Sequence, residues 1–199
     1  MPELIFVTGC NASGKSTFIR TRLNDLSGFE IIMTDVYKSR TKEVFSKAVT
    51  EKKDIILETV FNDASFIDLV NQAQQAKYQT NLIVLFLDNF KKSNERVAVR
   101  AMQQSGLTIS GSNVNINFNE SFKNIAKFFF YFDKTVFIHT GDDGKNQQIM
   151  SFSKSDLLSY NENNLQYPQR FAQYSFKNDR LVERAYNIIT TNQNFHLIP

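Results

Sequence analysis

The run Gly9-Cys10-Asn11-Ala12-Ser13-Gly14-Lys15-Ser16 satisfies the pattern G-x-x-x-x-G-K-[ST] at every fixed position. The chemistry open to such a run is the holding of a polyphosphate. Its glycines let successive backbone N–H groups turn towards one anion, and a helix starting at Lys15 adds the positive end of its dipole. Lys15 supplies a point charge to the β and γ phosphates of a nucleotide. Ser16 offers a hydroxyl to Mg²⁺, which bridges oxygens of those two groups. Cys10, Asn11, Ala12 and Ser13 need only fit the loop, and Thr17 joins them as a nucleotide contact. With glycine at ~7% of average usage, a chance match in a chain this short is roughly a one-in-a-hundred event. A thiol near a helix N-terminus can have a lowered pKa, so Cys10 is a candidate oxidant sensor; a small residue at a tolerant position is the plainer reading.

Phosphoryl transfer needs more than a phosphate cradle. It needs a carboxylate within reach of the attacking hydroxyl, and Asp35, at the end of the apolar run Glu30-Ile31-Ile32-Met33, is placed to be that base. Capping of a following helix is the alternative role. Glu58 and Thr59 close the next apolar run and reach the same edge; Glu58 is a candidate for a Mg²⁺-bound water or a substrate hydroxyl, and Thr59 for the latter, with turn formation as the alternative. Arg96 and Arg100 lie one helical turn apart on one face, where they could stabilise the transferring phosphoryl group or simply line a solvated, salt-bridged surface. The two histidines, His139 and His196, stand far apart and suggest no metal site.

The elements that must carry these residues alternate. Strand-length apolar runs at 4–8, 30–33, 54–58, 82–87 and 135–139 are interleaved with helical patterns at 15–26, 41–51, 63–77, 91–105 and 119–130. That alternation predicts an α/β fold of the P-loop NTPase type, a three-layer α/β/α sandwich on a mostly parallel five-stranded sheet, formed as a single domain over 1–199. The small polar residues of 106–117 predict a mobile loop in a helical lid over the site, and 178–190 a C-terminal helix packed on the sheet. The run Phe128-Phe129-Phe130-Tyr131-Phe132 reads as core rather than as a base-stacking platform.

Composition narrows the partners. With 23 basic and 20 acidic residues the formal charge is +3, too small to argue for nucleic acid. No stretch is long and apolar enough to span a bilayer, the first residues lack the features of a signal peptide, and the single cysteine suits a reducing compartment, so a cytoplasmic location is expected. The absence of a guanine-reading N-K-x-D and of an L-S-G-G-Q signature leaves a small-molecule kinase as the natural class of P-loop protein.

The motifs together resemble those of the zeta-toxin-like P-loop kinases and the related small predicted ATPases of bacteria and phage. The first strand and its loop through Phe18 resemble the family's opening; Met33-Thr34-Asp35 resembles its N-A-D segment, Leu57-Glu58-Thr59 its E-T, and Glu95-Arg96-Val97 with Arg100 its E-R-V-x-x-R. The resemblance covers about 1–137. It implies an ATP-dependent kinase in which the aspartate is the base, the sugar hydroxyl of UDP-N-acetylglucosamine the acceptor, and a small antitoxin protein the partner that blocks the nucleotide site. This chain departs from the family in its lid: 106–130 contains no arginine and no G-G-H-x-V-P. A nucleotide-binding regulatory or toxin-module ATPase without a small-molecule acceptor is the alternative, and a nucleic-acid end kinase a third, disfavoured by the lack of a basic, aromatic-interleaved stripe.

Overall fold

The computed structural model describes residues 1–22, 25–103, 110–141 and 145–197. Strands β1 (Glu3–Thr8), β2 (Glu30–Met33), β3 (Ile55–Thr59), β4 (Gln79–Phe86) and β5 (Lys134–Thr140) pair in parallel in the order β2-β3-β1-β4-β5. Each is apolar on both faces, and each face finds a partner. Phe6, Leu57, Val84 and Phe137 point into a core closed by α3 (Thr41–Thr50), α4 (Ile67–Gln75), α6 (Gly111–Phe128), α7 (Gln166–Lys177) and α8 (Glu183–Thr190). Val7, Ile56 and Leu85 face the other way, against Phe18 and Ile19 of α1 (Lys15–Arg20). Three layers follow.

The sheet does not stop at five strands. Beyond β5 it continues antiparallel through β6 (Asn146–Ser153), β7 (Asp156–Tyr160) and β8 (Phe195–His196), which corrects the expected count of five to eight among the described residues. The Asn-Gln-Gln start of β6 and the serines of both β6 and β7 dilute the apolar signal by which the parallel strands were recognised. Lys154, at φ 52°, makes the turn between them.

Phenylalanine does much of the packing. Phe6 meets Phe61 and Phe132 with ring centroids 5.2 and 5.4 Å apart, and Phe171 of α7 meets Phe129 and Phe137 at 5.1 and 4.7 Å. Phe128, Phe129 and Phe132 of the 128–132 run are therefore core, Phe130 packs at its edge and Tyr131 is exposed, while α7 anchors the C-terminal part of the chain to the parallel sheet. The C-terminal helix is shorter than expected: α8 begins at Glu183, because α7 already ends at Lys177 and the residues between them form the link.

The expectation of a mobile loop over 106–117 is also corrected. Residues 106–109 lie outside the described residues, but Ser110 is the N-cap of α6, its hydroxyl accepting the Asn113 N–H at 3.3 Å, and 111–117 are its first two turns. Val114, Phe118, Phe122 and Ile125 recur at helical spacing and are buried, a stripe stronger than the turn preference of the Gly, Ser and Asn residues around it. α6 packs against α5 (Phe90–Gln103).

Candidate functional site

β1 lies beside β3, and the helix after β1 (α1) packs on one face of the sheet while the helix after β3 (α4) packs on the other, so the loop after β1 lies at a switch point. The loop's shape depends on its glycines. Gly9 has φ 150°, and a Cβ there would stand 2.0 Å from the Leu85 carbonyl oxygen, so the loop is pressed on β4 as only glycine allows. Gly14, at φ 91°, is the left-handed N-cap from which α1 starts at Lys15.

Lys15 is buried, and its Nζ donates to the carbonyls of Gly9 at 2.9 Å and Cys10 at 3.1 Å. Burial holds its pKa below the usual ammonium range, against the pull of the acidic groups led by Glu58 and including Asp35; the charge of Arg100 adds to the depression.

Ser16 and Glu58 meet directly. Val7 of β1 pairs in register with Glu58 of β3, which puts the carboxylate on the face that carries α1, and Ser16 Oγ donates to Glu58 Oε1 at 3.1 Å. Glu58 is only 7% exposed, and its second oxygen, Oε2, has no hydrogen-bond partner. A buried carboxylate oxygen without a partner beside a hydroxyl is a donor set that a hard cation fits. No group of three or more His, Cys, Asp or Glu side chains among the described residues could hold a metal alone. The remaining ligands would be phosphate oxygens and water, as is usual for Mg²⁺.

The other candidates separate. Asp35 is exposed in the first turn of the short helix α2 (Thr34–Tyr37), at the carboxyl end of β2. Thr59 is buried, and its Oγ1 accepts the N–H of Phe61 at 3.1 Å, across a turn in which Phe61 has φ 57°. Arg96 and Arg100 differ in exposure. Arg96 donates to Thr140 Oγ1 at 3.3 Å, to the Thr140 carbonyl at 2.9 Å and to the Gly141 carbonyl at 2.7 Å, tying α5 to the end of β5, whereas Arg100 is exposed. Ala12 takes the left-handed φ of 57°, Ser13 is buried, and Thr17 is exposed on α1. Cys10 is 5% exposed, and burial pushes its thiol up, against the pull of Lys15, which argues against a ready thiolate.

Asn11, expected only to fit the loop, has partners that the sequence reading did not foresee. Its side-chain oxygen accepts from Asn117 of α6 at 2.9 Å and its carbonyl from Ser93 of α5 at 2.8 Å, so α5 and α6 both hold the loop. No local signal in the sequence joins residues so far apart.

A glycine-rich loop between a parallel strand and a helix, at the switch point of a three-layer sandwich, defines a P-loop nucleotide-binding fold. No protein-family model matches the sequence, and no curated protein does. Solved structures do match. A chain of the PezAT chromosomal toxin–antitoxin system of Streptococcus pneumoniae aligns with TM-score 0.60 and 13% identity over 95% of this chain and 87% of its own. The AvrRxo1-ORF1:AvrRxo1-ORF2 complex with sulphate ions aligns with TM-score 0.63 and 11% identity over 98% of this chain and 78% of its own. The same complex with ATP gives TM-score 0.60 and 11% identity over 98% and 77%. The likeness is one of fold, and the α/β fold of the P-loop type that the sequence suggested is the one observed.

Proposed function

We propose that this chain is a Mg²⁺- and ATP-dependent kinase that phosphorylates a hydroxyl of a small molecule, with a UDP-amino sugar as the first acceptor to test. The observation that carries the reading is the convergence of Lys15, Ser16, Glu58 and Asp35 at the carboxyl ends of β1, β2 and β3. A protein of the same fold has been solved with ATP, which supports the choice of nucleotide.

In this reading the loop's N–H groups and Lys15 hold the β and γ phosphates, and Ser16 with Glu58 holds Mg²⁺, which offsets charge on the phosphate oxygens. Asp35 takes the proton of the acceptor hydroxyl as its oxygen bonds to the γ-phosphorus; the bond from that phosphorus to the β–γ bridging oxygen breaks and ADP leaves. Arg100 steadies the transferring group, and Thr59 orients the acceptor or the turn that carries it. The origin of the similar structures in toxin–antitoxin and two-protein complexes supports an antitoxin partner and a toxin's role. Among the described residues no helix is long and apolar enough to cross a membrane, which agrees with work in the cytoplasm.

The test is purified protein with ATP, Mg²⁺ and a panel of UDP-sugars, nucleosides and aminoglycosides, followed by mass spectrometry. One panel member should gain one phosphate. Asp35→Asn should bind Mg-ATP within about tenfold of the parent while transfer falls ~10²- to 10⁴-fold, the usual loss for a positioned base. ATP consumption without phosphorylation of any acceptor would sink the kinase reading in favour of a regulatory ATPase; normal transfer by Asp35→Asn would remove the base.

A further inference from the structure

Three asparagines form a chain across the carboxyl end of the sheet. Asn62 Nδ2, in the turn after β3, donates to Asn117 Oδ1 at 2.7 Å, and Asn117 Nδ2, on α6, donates to Asn11 Oδ1 at 2.9 Å. The chain ends inside the P-loop. Each amide has one oxygen that accepts and one nitrogen that donates twice, so a row of amides has a direction. In this one the donors point towards the loop, each oxygen of Asn117 and Asn11 is occupied, and the group left at the end is the Asn11 NH₂.

That NH₂ belongs to the residue after Cys10, whose carbonyl holds Lys15 Nζ at 3.1 Å, so the row of amides ends within the loop that would hold the phosphates. Its backbone is fixed as well, through the Ser93 hydroxyl on the Asn11 carbonyl at 2.8 Å. The opposite assignment of all three amides would turn an oxygen of Asn11 towards phosphate oxygens, acceptor against acceptor. A bound polyphosphate therefore favours the direction seen.

We propose that Asn11 is a further residue of the phosphate site, a neutral donor to the γ-phosphate, and that Asn117 and Asn62 are positioning residues that aim it. The proposal rests on the nucleotide reading above and adds a consequence to it: the placement of α6 sets the geometry at the γ-phosphate. An amide suits this position because it donates without adding charge beside Lys15, where a further cation would compete for the same phosphates.

The experiment compares Mg-ATP with Mg-ADP by calorimetric titration, since only ATP carries the group in question. Asn11→Ala should weaken ATP about tenfold, the order expected for a hydrogen bond to a charged group, and leave ADP within about twofold. Asn11→Asp, of the same shape, should weaken ATP further by repulsion. Asn117→Ala should reproduce part of the loss, and the double variant Asn11→Ala with Asn117→Ala should be no worse than Asn11→Ala alone, as expected of a residue acting through another. A purely structural role would lower both affinities and the melting temperature together, and that result, or an unchanged ATP-to-ADP ratio, overturns the proposal. A parent that binds neither nucleotide sinks the nucleotide reading and this one with it, whereas a parent that binds both and an Asn11→Ala variant with the parent's ratio removes this proposal alone.

Discussion

Ser16 Oγ lies 3.1 Å from Glu58 Oε1, a bond that joins the first turn of α1 to the end of β3 across 42 residues of sequence. It leaves Glu58 Oε2 buried and unpartnered, aligned with the role of a cation ligand or of an acceptor for a metal-bound water. Glu58→Gln keeps the shape and the Ser16 contact but halves the acceptor capacity and removes the charge. The expected result is loss of the gain in ATP affinity that Mg²⁺ confers, with affinity in EDTA unchanged. Titrations with and without Mg²⁺ check it, and an undiminished Mg²⁺ effect would assign Glu58 to the scaffold.

Lys15 offers a prediction in which stability and activity part. Lys15→Met should abolish turnover, because the charge on the terminal phosphates is gone. The buried ammonium of the parent has its pKa depressed, chiefly by burial. Between that folded value and ~10.4, where a lysine of the unfolded chain titrates, the unfolded state holds a proton the folded state has released, so the parent's stability rises with pH. Below the window both states are protonated and the burial cost is fully present. Denaturant unfolding of parent and variant from neutral pH to about 10.4 should show the parent gaining on Lys15→Met as pH rises; parallel curves would refute it.

The two arginines of α5 should now give different results. Arg96→Ala removes three hydrogen bonds to Thr140 and Gly141 and should lower stability by about 1.5–3 kcal/mol, read in denaturant unfolding. Arg100→Ala should lower kcat with little change in ATP affinity. An unchanged kcat would remove Arg100 from the transferring group.

Gly9→Ala tests the close approach of loop and β4. A Cβ 2.0 Å from the Leu85 carbonyl oxygen cannot be absorbed by a side-chain rotation, and φ 150° is unfavourable for alanine. The variant should lose about 1–3 kcal/mol of stability and most nucleotide affinity together. Gly28→Ala, also at positive φ but with no atom within 4 Å of the added Cβ, is the control that isolates backbone strain from steric conflict.

What the sequence determined by itself was local. The alternation of apolar runs with helical patterns specified the five parallel strands, because residues buried on both faces must be apolar on both faces. The loop from Gly9 to Ser16 was legible because phosphate binding constrains backbone conformation at fixed positions, and Gly9 and Gly14 carry the positive φ values that this requires. Asp35 and Glu58 were legible as residues at the carboxyl ends of strands because each ends or follows an apolar run of strand length.

The tertiary structure decided everything that depends on which distant side chains touch. Arg96 and Arg100 share one spacing and one helix face, yet the end of β5 captures the first, since Thr140 and Gly141 present carbonyls that no feature near Arg96 in the sequence announces. The buried stripe of α6 lay under a surface of Gly, Ser and Asn residues whose turn preferences are weaker than the burial of Val114 and Phe118. Strands β6 to β8 extend an antiparallel margin whose polar residues dilute the apolar pattern. The contact of Asn117 with Asn11 spans 106 residues, and periodicity carries no information about it. Patterns of burial are written along the chain, whereas hydrogen-bonded partners at a site are selected by sheet order and register, which exist only once the layers have packed.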